Sequence, residues 1–369
     1  MGLKEQIPAA PAIEDVETPA GLADLDRVRR NAARAAEYCR ENGLRWRPHV
    51  KTHKSLTLAQ LQLEAGASGL TVATPHEAEV MAAVCSDILL AYPPVGARKV
   101  QRLVDLPDHV DLKVGLDSAE VLVGLAEAAA KAGRTVGILV EFDAGMGRIG
   151  VGGPEDALSL ARLADSFDGV SFEGLMFYPG HIRVPRQDQG PLLEALATRI
   201  SAFISHLSRA GLPPDIVSGG SSPTLWDSHR LPGLTEVRPG TCIYNDRDML
   251  EMGVAGLEEV AYTVLASVVS VAVPGQAVVD AGSKALAKES FRSAGSGFGV
   301  LLDRPGVTVK ALSEEHGILD LTGTDWVPRV GDRVRIVPNH VCVSVNLQDR
   351  LWGLESDHLR AITLEARGR

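Results

Sequence analysis

Eight short runs rich in β-branched and aliphatic residues recur along this chain, each followed by a stretch of helical character. That alternation constrains the fold more than any other feature. The runs are Arg45–Val50, Gly69–Ala73, Asp87–Tyr92, Val110–Val114, Val136–Phe142, Val170–Phe177, Asp215–Val217 and Glu236–Val237. Between them lie segments rich in Ala, Leu, Glu and Arg, such as Ser118–Lys131, Pro154–Ser166 and Leu192–Ala210. Ahead of the first run, Leu22–Cys39 reads as an amphipathic helix stopped by Gly43. Strand–helix alternation of this regularity calls for parallel strands joined by crossover helices. Eight such units close a (β/α)8 TIM-type barrel. The alternative, an open doubly wound sheet, lacks its Gly-x-Gly-x-x-Gly after the first run.

After Leu257 the texture changes. Val260–Val273 is rich in β-branched residues, and Ala277–Asp280, Phe298–Leu302, Val307–Leu312 and Arg333–Val337 follow as short strands between Gly, Pro and Asp turns. The expected organisation is an α/β barrel over residues 16–256 and a mostly β C-terminal domain over 257–369, which residues 1–15 join. A chain of 369 residues accommodates both. The net charge of −10 comes with no basic block, which argues against nucleic acid as a partner. No apolar stretch matches a membrane span, and Met1–Glu5 opens without the apolar core of a secretory signal. Cys39, Cys85, Cys242 and Cys342 are widely scattered, so no disulfide framework is implied and a cytoplasmic location is expected.

Barrels of this kind place their chemistry on loops at the carboxyl ends of the strands. Lys51 ends the first run within Pro48-His49-Val50-Lys51-Thr52-His53-Lys54. A lysine ringed by histidines and cations is a candidate for a depressed pKa, and a neutral amine forms a Schiff base with an aldehyde. The same lysine in a solvated loop would be unremarkable chemistry. Ser218–Thr224 follows the seventh run with glycines and hydroxyls (Gly219, Gly220, Ser221, Ser222), a composition that lets backbone N–H groups converge on a phosphate monoester. Gly240 and Thr241 after the eighth run would supply the second half of that cradle. The segment reads equally as a plain Ser/Gly turn. A reactive lysine together with a phosphate cradle points to pyridoxal 5'-phosphate (PLP), with Arg148 near the ring hydroxyl or the substrate carboxylate, or else in a surface ion pair.

A second signal lies far downstream, in Pro338-Asn339-His340-Val341-Cys342. On a strand, residues i and i+2 share a face, which would present His340 and Cys342 together. Imidazole and thiolate suit Zn2+ and bias against Mg2+ or Mn2+, and two protein ligands leave positions for water or substrate. The bland alternative is a half-buried strand whose His and Cys only pack. Ser313–Gly317 reads as a charged turn, and Asp280–Lys284 as a bend where a strand ends.

Taken together these motifs resemble the fold-type III PLP enzymes, the alanine-racemase-like group. More closely they resemble the D-threonine aldolase and eukaryotic-type D-serine dehydratase family. The matching pieces are Arg47–Lys54, Gly219–Thr224, Glu236–Thr241, Asp280–Gly282 and Pro338–Cys342, in the family's order over nearly the whole length. The resemblance implies a PLP-bearing barrel and a β domain, usually in a homodimer. It implies that Lys51 binds the cofactor covalently, that His340 and Cys342 hold a divalent metal (Zn2+ favoured, Mn2+ admitted) at the substrate's β-hydroxyl, and that Arg148 and Tyr178 approach the cofactor. His181, three residues beyond Tyr178 where the family's aldolases carry a histidine somewhat further on, is the candidate base or water holder. The implied activity is that of a lyase on D-3-hydroxy amino acids. Retro-aldol cleavage to glycine and an aldehyde is placed first, and dehydration of D-serine or D-3-hydroxyaspartate second, since a His-x-Cys pair resembles the dehydratase branch. An amino-acid racemase, which needs no metal, and a PLP-binding protein without turnover, typically a lone barrel, fit less well.

Overall fold

The computed structural model describes residues 12–290, 296–356 and 358–368, so the expectation for residues 1–11 lies outside the described residues. The chain divides into two compact units. One comprises the described part of Met1–Arg30 with Tyr244–Asp248 and Leu257–Thr363; the other comprises Asn31–Ile243, Met249–Gly256 and the described part of Leu364–Arg369.

In the second of these, all eight expected strands form: Arg45–Trp46, Leu70–Val72, Asp87–Leu90, Asp111–Leu116, Val136–Glu141, Val170–Met176, Ile216–Gly219 and Glu236–Val237. They make one parallel sheet in which the second to eighth strands pair in chain order and the first pairs with the eighth. The ring closes between the first and second strands through Ser68 N donating to Trp46 O (2.8 Å), Thr71 N donating to Pro48 O (2.9 Å), and a parallel bridge of His49 with Thr71. Val136–Glu141 is buried along its whole length, as strands covered on both faces must be. Inside, large side chains fill space left by small ones: a Cβ on Gly115 would overlap the Met176 thioether.

Towards the amino ends of the strands the interior is charged. Arg47 is fully buried. Its Nε donates to both carboxylate oxygens of Glu236 (3.0 Å each), and Nη1 and Nη2 donate to Asp87 Oδ1 and Oδ2 (2.8 Å each). Lys113 Nζ adds bonds to Asp87 Oδ1 (3.1 Å) and Asp111 Oδ2 (2.6 Å). Burial pushes the Asp87 pKa up, but the Arg47 and Lys113 charges outweigh it and hold the carboxyl below its ordinary value. Strands one, three, four and eight are thereby cross-linked by ion pairs, of which Arg47–Glu236 is buried on both sides.

The other unit is mostly β. Its sheet runs Val309–Leu312, Gly317–Asp320, Gln276–Val279, Tyr262–Ser270, Ala20–Asp24, Arg350–Glu355, His358–Thr363, with Arg333–Pro338 also pairing with Tyr262–Ser270 and carrying Gly299–Leu301 on its other side. Pairing is antiparallel except between Ala20–Asp24 and Arg350–Glu355. Two sequence readings are corrected here. Leu22 lies on a strand, and the helix begins at Leu25 (Leu25–Glu41) because Asp24 Oδ1 accepts the Arg27 N–H (2.9 Å) and caps it. Apolar residues at 22, 25 and 28 fit a helical spacing whether or not the first turn is helical. Second, the strand before the His-x-Cys motif stops at Pro338, so His340 and Cys342 are not on a strand. The turn at Ser313–Gly317 is as expected, closed by Ser313 N donating to His316 O (2.9 Å).

Candidate active site

The first run ends earlier than its apolar pattern indicated. After Trp46 and the bridge at His49 the chain turns into a short 3-10 segment, Val50–Thr52, whose cap is His49: Nδ1 accepts from Lys51 N at 3.5 Å. Val50 and Thr52 point inward, and Lys51 stands exposed between them. The expected ring of cations is only partly realised. His53 is turned inward, its Nε2 3.0 Å from Gln62 Oε1, and burial lowers its pKa to about 4. Lys54 pairs with Glu77 (2.7 Å). His49 does face Lys51; burial first, then the Lys51, Arg238 and Lys54 charges, keep it well below its ordinary pKa and therefore neutral. The chain's last residues brace this turn: Ala366 N donates to Lys54 O and Leu56 N to Glu365 Oε2, both at 3.0 Å. Nothing in the local pattern of residues 364–368 signals that role.

Lys51 Nζ lies 5.9 Å from the Tyr178 ring centroid, and the Arg148 guanidinium lies 5.1 Å from the same ring. Tyr178 follows the sixth barrel strand, so the two cations foreseen at the cofactor both approach one aromatic ring. Arg148 rides on a loop folded tightly on itself. Asp143 Oδ1 accepts from the N–H groups of Gly145, Met146 and Gly147 (2.9–3.0 Å), Val151 N returns to Glu141 O (2.9 Å), and Arg199 ties Asp143 O and Gly152 O at 2.7 Å each. His181 is exposed and lies over this loop: a Cβ on Gly145 would sit 3.0 Å from its imidazole.

The two glycine-bearing turns lie side by side and against the Lys51 turn. Gly219 pairs with Val237, and Arg238 N donates to Gly219 O (3.0 Å). Gly220 has φ +83°, which only glycine adopts without strain. A Cβ on Gly240 would overlap Thr52 Oγ1 and come within 2.8 Å of His49 O, and one on Gly219 would overlap the Phe177 ring. Ser221, Ser222 and Thr241 are buried beside them, and Ser221 Oγ is 3.0 Å from Thr224 Oγ1. Small residues, hydroxyls and backbone amides thus meet next to an amine and two guanidiniums, a donor set that fits a phosphorylated aldehyde. Gly219→Ala is expected to cost about 1–3 kcal/mol through overpacking. It should weaken PLP binding measured by absorbance titration while leaving far-ultraviolet circular dichroism unchanged.

Two residues absent from the expected site stand at the same strand ends. Arg238 is buried; Nη1 donates to Ser218 Oγ (2.6 Å) and Nη2 to Phe177 O (2.9 Å). Glu141, the last residue of the fifth strand, is 2% exposed, and its Oε2 has no hydrogen-bond partner. Apolar neighbours on both sides hid Glu141 in the sequence, where it reads as a strand residue.

In the β unit, His340 caps the helix Val341–Leu347, and Cys342 is that helix's second residue. The two side chains still meet, because a residue at a helix cap and one in the first turn are neighbours. Burial lowers the His340 pKa, but the adjacent Cys342 and Asp246 raise it well above the ordinary value. Asp246 Oδ2 lies 3.0 Å from His340 Nδ1 and accepts from Val341 N at 3.0 Å. Among the described residues no group of three or more His, Cys, Asp and Glu is arranged for a metal ion. The His340–Cys342 pair offers two donors of the soft and borderline kind that Zn2+ takes.

Comparison with known proteins agrees with this architecture. The alanine racemase N-terminal domain matches residues 23–248 and the serine dehydratase domain residues 261–354. The D-threo-3-hydroxyaspartate dehydratase of Delftia sp. (strain HT23) is 37% identical over 350 residues, 89% of this chain and 92% of that one. Solved structures of a D-threo-3-hydroxyaspartate dehydratase include a cysteine-to-alanine mutant in the metal-free form (TM-score 0.86, 32% identity, 96% and 98% covered) and a histidine-to-alanine mutant (0.86, 33%, 96% of each). The 3-hydroxy-D-aspartate aldolase of Paracoccus denitrificans (strain Pd 1222) is 31% identical over 98% of this chain and 96% of its own. The D-threonine aldolase structure from Filomicrobium marinum superposes with a TM-score of 0.90 at 31% identity, covering 98% of each chain. The chain therefore belongs to the alanine-racemase-like, fold-type III PLP enzymes, in the family of the D-threonine aldolases and D-serine dehydratases.

Proposed function

We propose that this chain is a PLP- and metal-dependent lyase acting on D-3-hydroxy amino acids. The observation that carries the reading is the grouping of the Lys51 amine, Tyr178, the Arg148 guanidinium and the glycine turns at 219–220 and 240 in one barrel mouth. Lys51 Nζ would hold the cofactor's aldehyde, Tyr178 would pack beside it, and Arg148 would orient an anionic group. Gly219, Gly220, Ser221, Ser222, Gly240 and Thr241 would bind its phosphate. The chemistry gained is an electron sink for the pair released when a bond at the substrate's Cα breaks. His340 and Cys342 would hold a divalent cation, Zn2+ before Mn2+, which acidifies a hydroxyl bound to it. In the solved D-threo-3-hydroxyaspartate dehydratase mutants the substituted histidine and cysteine are two positions apart, as His340 and Cys342 are, and the cysteine mutant is described as metal-free. His181, exposed over the Arg148 loop, would accept a proton at an imidazole nitrogen.

Each of two outcomes has its own support. Retro-aldol cleavage, in which His181 takes the hydroxyl proton, is supported by the Paracoccus aldolase and the Filomicrobium structure. Dehydration, in which Lys51 Nζ takes the Cα proton, is supported by the thiol at position 342 and the Delftia dehydratase. Incubation with D-threonine, D-serine and D-threo-3-hydroxyaspartate separates them. Glycine with an aldehyde marks cleavage, ammonia with a keto acid marks dehydration, and neither product from any of the three overturns the proposal. His340→Ala and Cys342→Ala are expected to lose the bound cation and at least roughly a hundredfold in turnover, about 3 kcal/mol of barrel-independent Lewis-acid stabilisation, while keeping cofactor absorbance.

A further inference from the structure

Glu141 plays no part in the reading above, yet its setting is unusual. It ends the fifth barrel strand, its carboxyl is buried, and Oε2 has no partner. It also anchors the loop bearing Arg148, since its own carbonyl accepts from Val151 N. The charged groups that face it are the Arg238 and Arg148 guanidiniums and the carboxylates of Asp117 and Asp143. Both carboxylates are engaged elsewhere: Asp117 accepts from Gly150 N (2.7 Å) and Asp143 from the three loop amides. Arg238 is held by Ser218 Oγ and the Phe177 carbonyl, so it is fixed without Glu141.

Resting on the cofactor assignment above, we propose that Glu141 is a proton-holding positioning residue of this site. Protonated, it leaves the Arg148 and Arg238 charges available to an anionic cofactor; ionised, it cancels one of them. Burying an ionised carboxylate with an unpaired oxygen removes a full charge from water, a larger penalty than burying the neutral carboxyl. Burial is also the largest influence on its pKa and raises it to about 7, against the opposing pull of the two guanidiniums. The sign follows. Filling the mouth with an anion further disfavours ionised Glu141, so loading takes up a proton, and affinity falls as pH rises through 7.

The test is the dissociation constant of PLP, read by absorbance between pH 6 and 8.5, for wild type, Glu141→Gln and Glu141→Leu. Both variants are permanently neutral, and thermal melts establish which are folded. The ratio of wild-type to variant dissociation constants is expected to grow by up to about tenfold across this range, one pKa unit of coupling. Dividing out the variant profile removes every titration that wild type and variants share. Parallel wild-type and variant profiles overturn the role of Glu141 while leaving the cofactor assignment standing. A wild type that takes up no PLP overturns the assignment itself, and the role of Glu141 with it.

Discussion

Lys51→Ala is expected to abolish the yellow absorbance of the PLP-loaded protein and to lower turnover on D-3-hydroxy amino acids by at least roughly a thousandfold. A positioned acid–base group alone contributes about a hundred- to ten-thousandfold, and this side chain would also carry the covalent link to the cofactor. Stability should barely change. Lys51 is exposed, while the turn around it is fixed by groups the substitution leaves alone: the His49 cap, inward-facing Val50 and Thr52, and the Ala366–Lys54 backbone bond. Visible absorbance, thermal melting and product formation on one preparation check the claim. A Lys51→Ala protein that stays yellow and active would remove the basis of the proposed chemistry.

Arg47→Met should be the most damaging single substitution for the barrel, at about 3–5 kcal/mol, because it removes the fully buried guanidinium that pairs with both oxygens of buried Glu236 and of half-buried Asp87, leaving Arg45 at 3.4 Å and Lys113 at 3.1 Å as their cations. For a domain of this size that is a fall of roughly 6–20 °C in melting temperature. The cost comes from the stranded charges rather than from the lost pair. Adding Glu236→Gln and Asp87→Asn to Arg47→Met should therefore recover part of the loss. A single variant that melts within two or three degrees of wild type, a range that ordinary surface substitutions span, would show that Arg45, Lys113 and water suffice for these carboxylates.

Much of the fold was legible because its signals are local. Strand and helix periods are written in consecutive residues, so all eight barrel strands were found, down to two-residue strands such as Glu236–Val237. Leu22 was misassigned because a strand entering a capped helix leaves apolar residues at the same spacing as one more helical turn. His340 and Cys342 were expected on one face of a strand, but they stand at the start of a helix instead. Alternation on a strand and proximity at a helix cap both bring i and i+2 together, and the sequence does not distinguish them. Residue type pointed to Lys51, Arg148, Tyr178 and the glycine turns, each recognisable by the chemistry it carries. Glu141 gave no such signal, because a carboxylate in a strand reads as a solvent-facing residue until its neighbours are known.

The sequence by itself determined the element order, the barrel, the β domain and the residue types available for chemistry, since each depends on neighbours along the chain. Only the tertiary structure decided that Arg47 and Glu236, 189 positions apart, meet in a dry ion pair, that the chain's end braces the Lys51 turn, and that Glu141 faces two guanidiniums. Burial and long-range proximity set those energies, and neither quantity exists until the ring of strands has closed.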